Sequence, residues 1–400
     1  MTKPPTYFPH GIFVPARRGS LPRPRVFISP QRYIQGPEVL GDVGQHLSLL
    51  PAKRIALLIS ERGSRAEGVR LVEGLDSAGV EHVLSLFKGE CSLEEISDHV
   101  DALASEGVDC LIAAGGGKCL DAGKAVAYRL GVPVVIVPTL ASNDAPCSAV
   151  SVLYTKEGVS SGVEFYPDNP ALVVVDTRVI VEAPERFLVA GIGDAMATWY
   201  EARTCKLNEN ATTTVGARPT IASCAIGEAC AKTLFEYGAA AAAAVAAKTG
   251  NDALEAVVEA NTLLSGLGFE SGGLAAAHGL AQSYTRIAKV ETNFLHGELV
   301  AMGTLAQLML ESRPDEAARV AEFFATVGLP VHLGQISLED SDSEALGLVA
   351  EGTVDYPFIG NMPEKVTIDS VRAAILEAHT LGLLVAEKSG DAAYQRLHDE

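Results

Sequence analysis

Through the first half of the chain, short runs of consecutive apolar residues alternate with segments whose apolar positions recur every three or four residues. Residues 54–60, 82–87, 110–114 and 132–137 read as strands, and the intervening segments 64–78 and 92–106 as helices. Strands that are apolar throughout and separated by helices belong to a parallel sheet covered on both faces. Residues 150–154 and 171–176 add further strands. After about Pro184 the pattern changes, and alanine-rich and leucine-rich runs follow one another with few β-branched clusters. Six consecutive alanines, Ala239 to Ala244, are typical of this helix-forming composition, and no function attaches to them. An α/β domain over 26–185 and an all-helical domain over 186–400 are therefore expected, with the ligand cleft between them.

The 400 residues, 48% of them hydrophobic, can bury a large core, and the length suits two or three domains. No apolar stretch reaches the roughly 18 residues of a membrane-spanning helix, so the chain reads as soluble. Residues 1–25 hold six prolines and five basic residues with no acid, and they lack the apolar core of a secretory signal. They read as a poorly ordered extension, or as an arm that packs on a neighbour. This segment contributes +5 of charge, and the remainder of the chain carries −24, which argues against nucleic acid as a partner. Small molecules and further copies of the chain remain as partners. The seven cysteines form no C-x-x-C pair and several lie in apolar runs, as reduced thiols in a cytoplasmic protein do.

Two places carry chemistry. The strand at 110–114 ends in Gly115, Gly116 and Gly117, and a helix follows over 118–130. Glycines let a backbone approach a phosphate closely, and the helix start presents free N–H groups with the positive end of its dipole. The pattern is neither G-x-G-x-x-G, because Leu120 stands at the last glycine, nor a phosphate loop of the nucleotide triphosphatases, because Cys119 replaces the required Ser or Thr. Further on, Thr139, Ser142 and Ser148 string hydroxyls after a buried strand, which suits a polar ligand at the carboxyl edge of a Rossmann-like sheet. In the second half, His278 lies among small apolar residues, His296 opens a helical run, and Asp194 follows Gly191-Ile-Gly193. Both imidazoles are expected in the interior. One carboxylate and two imidazoles make a metal site with an open position, as catalytic zinc uses, although the same set also suits Fe(II).

The glycine segment at 115–124, the segment 137–154, the run Gly191-Ile-Gly-Asp194 and the two histidine segments resemble, in the same order, the glycerol dehydrogenases of the iron-containing alcohol dehydrogenase family. The resemblance runs from about Arg25 to about Leu383. It implies that family's architecture, shared with dehydroquinate synthase, in which a nucleotide-binding α/β domain precedes a helical metal- and substrate-binding domain. It also implies oxidation of glycerol or a related vicinal diol to dihydroxyacetone, with hydride passing to NAD, in an enzyme that forms homo-oligomers. Gly116, Gly117, Lys118, Asp121, Thr139, Ser142, Ser148, Val150 and Tyr154 fall where the family contacts the dinucleotide. Asp194, His278 and His296 fall on its metal and substrate site, and Zn2+ is the metal implied. Asp144 matches a substrate-contacting aspartate; read from the residues alone, it also suits the turn before Pro146.

One departure concerns the second strand, where the family ends on an aspartate for the adenosine ribose and this chain has Ser60, followed by Glu61, Arg62 and Arg65. A missing carboxylate beside arginines is what a 2′-phosphate requires, whereas Glu61 can replace the ribose contact, so NAD comes first and NADP stays open. Relatives such as glycerol-1-phosphate dehydrogenase or dehydroquinate synthase act on anionic substrates that need several Lys or Arg in the cleft. The basic residues between 190 and 303 are Arg203, Lys206, Arg218, Lys232, Lys248, Arg286 and Lys289, none in a histidine motif, which favours an uncharged polyol. A non-catalytic scaffold with this fold predicts lost ligands, and all three are present.

Overall fold

The apolar runs of the first half become strands, and the computed structural model, which describes residues 7–19 and 21–398, places all but one of these runs in one sheet. The strands are β1 (Tyr33–Gly36), β2 (Arg54–Ser60), β3 (Glu81–Phe87), β4 (Cys110–Gly115), β5 (Val134–Pro138), β6 (Val150–Tyr154), β7 (Ser160–Phe165) and β8 (Leu172–Asp176). Six of them form a parallel sheet in the order β1-β8-β5-β4-β2-β3. The neighbouring strands β2 and β4 are apolar along Ile55–Ile59 and Leu111–Ala114 because both faces are covered: Ile55, Leu57, Ile59 and Ile112 are completely buried with Leu71 and Leu75 of the helix Glu67–Ser77, and Ala56, Leu58, Leu111 and Ala113, which point the other way, are equally buried. The expected helix at 64–78 is two helices, Glu61–Arg65 and Glu67–Ser77, because Ala66 between them leaves helical geometry with φ −111° and ψ −106°. β6 does not join the sheet but pairs antiparallel with β7 in a separate two-stranded ribbon.

Two compact units emerge. Ile28–Ala183, with the described residues before Phe13, form the α/β unit, and Phe13–Phe27 with the residues from Pro184 onward form the helical one. Within the helical unit the segment before residue 28 is tied down on its own chain. Arg25 and Arg218 form a parallel bridge, Arg218 N donates to Pro24 O at 2.8 Å, and an Arg25 Nη1–H donates to Pro219 O at 2.6 Å. Of the arm expected over 1–25, Phe13–Phe27 groups with this unit and its described residues near Arg25 form a strap on it, whereas residues 1–6 and 20 lie outside the described residues. The unit's principal helices are Glu185–Leu207, Ile221–Ala246, Ala276–Tyr284, His296–Leu310 and Ile368–Ser389. Among the described residues no helix is long and apolar enough to cross a membrane. All seven cysteines are free and buried.

In the α/β unit one buried charge pair staples the β6 region to the helix Gly117–Leu130. Lys124 Nζ lies 2.8 Å from Asp121 Oδ1, with both side chains almost fully enclosed. The ammonium also donates to Ala145 O at 3.0 Å, to Ser148 Oγ at 3.3 Å and to Val150 O. Asp121 completes its shell by accepting from Val152 N at 2.9 Å. Burial pushes the Asp121 carboxyl up from its ordinary value, with Lys124 opposing that shift. Removing one member of such a pair leaves an uncompensated buried charge. Asp121→Ala is expected to cost about 3–5 kcal/mol of stability, read as a lower midpoint of denaturant unfolding, whereas a change below about 1 kcal/mol would show that the pair is not the staple.

Candidate active site

In the α/β unit the parallel arrangement puts the ends of β2, β4 and β5 at one edge of the sheet. Gly115 pairs with Pro138, and Ile59 with Ala114, so Ser60, the turn at Gly116 and the segment from Thr139 all follow at that edge. Chain order reverses between β2 and β4, which makes this edge a topological switch point, the usual place for a dinucleotide. Gly116 is the N-cap of the helix Gly117–Leu130, with extended backbone and no capping side chain, so the first N–H groups remain available to an anion. Lys118, in the first turn, is held by Glu90 at 2.7 and 2.8 Å and stands 4.6 Å over the Tyr154 ring.

The other expected contacts divide into two groups. Thr139, Ser142 and Asp144 lie in the segment that leaves this edge, whereas Asp121, Ser148 and Val150 meet around Lys124 Nζ in the internal staple. Lys124 itself carried no sequence signal beyond its place in the glycine segment. Asp144 stands at the N-cap of the short helix Ala145–Cys147 without a side-chain cap hydrogen bond, and Asn143 Oδ1 accepts from Ala145 N at 3.2 Å. At the end of β2, Ser60 Oγ caps the next helix by accepting from Gly63 N at 3.0 Å, and Arg65 pairs with Glu61.

In the helical unit three helices converge on a cluster of ligand atoms. Asp194 comes from Glu185–Leu207, His278 from Ala276–Tyr284, and His296 is the first residue of His296–Leu310. One ligand atom from each lies within 4.8 Å of the others, and both imidazole Nε2 atoms stand 3.4 Å from Asp194 Oδ1. Such convergence needs the helices to approach closely. At Gly297 a Cβ would lie 1.8 Å from Ala190 O, and at Gly303 a Cβ would lie 2.2 Å from Ala277 O, so only glycine fits beside each histidine-bearing turn. Asp194 is 1% exposed, but His296, expected inside, has 51% of its side chain exposed because it starts its helix.

A fourth residue, Glu201, completes the geometry. It lies two turns beyond Asp194 on the same face of the same helix and is fully buried. Its Oε2 lies 2.6 Å from His278 Nδ1, and its Oε1 accepts from Ala275 N at 2.8 Å and His278 N at 3.1 Å. The helix Ala276–Tyr284 has no cap from its own N-cap residue, so Glu201 serves as one, together with Gln307 Oε1, which accepts from Ala277 N at 2.8 Å. A proton on Nδ1 facing Glu201 leaves Nε2, the atom facing Asp194, as the nitrogen that could bind a metal. Burial pushes the Asp194 carboxyl up, but hydrogen bonds with His278 and His296 outweigh burial and hold it below the usual carboxylate range. Burial likewise opposes charge on His278, while Glu201 and Asp194 raise it well above the ordinary imidazole value. A divalent cation bound here would have to displace a proton from His278, so its uptake would strengthen as pH rises. Two nitrogen donors, one carboxylate and a carboxylate-oriented imidazole fit a divalent cation with room for a further ligand.

Comparison with known proteins follows the same lines. The model of the iron-containing alcohol dehydrogenase family matches residues 30–177. A glycerol dehydrogenase of Escherichia coli O6:H1 is 43% identical over 363 residues, covering 90% of this chain and 97% of that one. A glycolaldehyde reductase of Halobacterium salinarum is 41% identical over 373 residues, covering 91% and 99%. The crystal structure of glycerol dehydrogenase from Schizosaccharomyces pombe matches with a TM-score of 0.87 at 36% identity, over 92% of this chain and 93% of that one.

The double role of Glu201 separates orientation from folding. In Glu201→Gln the amide oxygen still accepts from Ala275 and His278 N–H, but the amide nitrogen then faces Nδ1 and drives the imidazole proton to Nε2. Zinc affinity should fall about 10- to 100-fold with little loss of thermal stability. Wild-type zinc affinity in Glu201→Gln would remove Glu201 from the account.

Proposed function

The chain belongs to the iron-containing alcohol dehydrogenase family, and we propose that it oxidises glycerol, or a related vicinal diol, to the hydroxyketone while NAD takes up hydride. For glycerol the balance is glycerol and NAD+ to dihydroxyacetone, NADH and a proton. The observation that carries this reading is the Asp194, His278 and His296 cluster, whose ligand atoms lie within 4.8 Å of one another. Relatives 43% identical over nearly their whole length support the polyol.

Asp194, His278 and His296 hold a divalent metal, zinc in this reading, and Glu201 fixes which nitrogen of His278 faces it. Bound metal supplies Lewis acidity toward a substrate hydroxyl, and bound nicotinamide accepts the hydride. Asp144 positions a substrate hydroxyl through a charge-assisted hydrogen bond, a role the resemblance supports, and Asn143 Oδ1 supplies a bond to Ala145 N in the same turn. The N–H groups at Gly117 and Lys118 receive the pyrophosphate. Arg203 is committed to Glu311 and Glu316 at 3.0 and 2.7 Å, and Arg218 to Ala211 O at 3.0 Å, which supports an uncharged substrate. Glu61 pairs with Arg65, which keeps that guanidinium from a 2′-phosphate and favours NAD. Homology to a glycolaldehyde reductase raises a second reading, in which ethylene glycol and glycolaldehyde are the physiological pair.

A panel of glycerol, ethylene glycol, 1,2-propanediol, glycerol 1-phosphate and glycolaldehyde, followed by nicotinamide absorbance with both coenzymes, tests the proposal. Glycerol with NAD should give the highest kcat/KM, and activity should vanish on chelation and return with zinc. Turnover of glycerol 1-phosphate alone would contradict it. Asp144→Asn keeps the side chain's size and should leave coenzyme affinity intact while lowering kcat/KM for glycerol about 10²-fold, about 2.7 kcal/mol of transition-state stabilisation; unchanged kinetics would return Asp144 to a structural role.

A further inference from the structure

His278 is oriented by Glu201, whereas His296 is half exposed, with Nε2 3.4 Å from Asp194 Oδ1 and its ring beside that of His278. Its position is therefore set by where its helix starts. That start is made by Glu298, 1% exposed, whose Oε2 accepts from Leu295 N at 2.8 Å, one residue before His296. Three further contacts fix the Glu298 carboxylate. Arg186, at the beginning of the helix that carries Asp194, grips it in bidentate fashion at 2.7 and 2.8 Å and also donates to Asn293 O at 2.8 Å. From the other end of the chain, His398 Nε2 lies 3.0 Å from Glu298 Oε1.

His398 is itself immobilised. It ends the helix Ala392–His398, stacks on Tyr394 with ring centroids 3.9 Å apart, and its Nδ1 lies 2.8 Å from Tyr394 O. Two residues earlier, Arg396 Nη2 donates to Glu185 Oε1 at 3.0 Å, at the first residue of the Asp194 helix. The C-terminal helix thus touches the starts of two helices that each bring a ligand to the cluster.

We propose that the C-terminal helix Ala392–His398 is a clamp that positions His296 for the metal, acting through Glu298, with His398 as its positioning residue. The clamp rests on the metal site proposed above. Losing His398 leaves Glu298 one partner short and frees the Leu295–His296 turn, so the effect falls on metal retention more than on the fold.

The test is the rate at which zinc-loaded, full-length protein gives up zinc to excess chelator. His398→Ala should release it about tenfold faster, the lower end of what distant partners of metal ligands contribute. His398→Gln, whose amide can donate to Glu298, should restore most of the retention. Lys388→Ala, which breaks an exposed 2.7 Å pair with Glu322 just before this helix, should release zinc at the wild-type rate. Equal rates in wild type and His398→Ala would overturn the clamp even if thermal stability fell. A wild type that holds no zinc would instead overturn the metal site itself.

Discussion

Asp194, a carboxylate with 1% of its surface exposed, stands between two imidazoles, and the helical unit is organised around the need to compensate that burial. An isolated buried carboxylate is costly enough that it normally takes up a proton. Here His278 and His296 hold it ionised, and His278 is in turn shared with a second fully buried carboxylate, Glu201. With both imidazoles neutral, as metal ligands must be, the two acids within three helices would leave two negative charges that a divalent cation would balance. The same contacts fix the ring of His278, cap a helix with no cap of its own, and demand the glycine contact at Gly297.

Much of the fold was legible because its cause is local. A strand buried on both faces must be apolar throughout, so β2, β4, β5 and β8 stand out as runs. β7 escaped because it is largely exposed and its residues, Ser160–Phe165, carry no continuous apolar signal. Ala66, an ordinary helix former, gave no warning of the break it makes between two helices. The strap around Arg25 looked like a tail because Arg25 donates to the Pro219 carbonyl and the Pro24 carbonyl accepts from Arg218 N, contacts that leave no pattern in a sequence.

The residues of the Asp194, His278 and His296 cluster stood out in the sequence as residue types in company, but the groups that position them did not. Glu201 shares a helix face with Asp194, a spacing that any surface acid also shows. Lys124 sits in a glycine-rich run where a cation suggests phosphate, yet it binds an aspartate and three oxygens of its own chain. His398 lies about a hundred residues from Glu298 and outside every motif. These roles arise only when distant segments meet.

The central claim is that Asp194, His278 and His296 together hold the metal. X-ray absorption at the zinc edge of the loaded protein tests it most directly. The account predicts nitrogen and oxygen scatterers at about 2.0–2.1 Å with the outer-shell signature of two imidazoles, and the loss of one imidazole in each of His278→Ala and His296→Ala. A spectrum without imidazole features, or one that neither substitution changes, would contradict it.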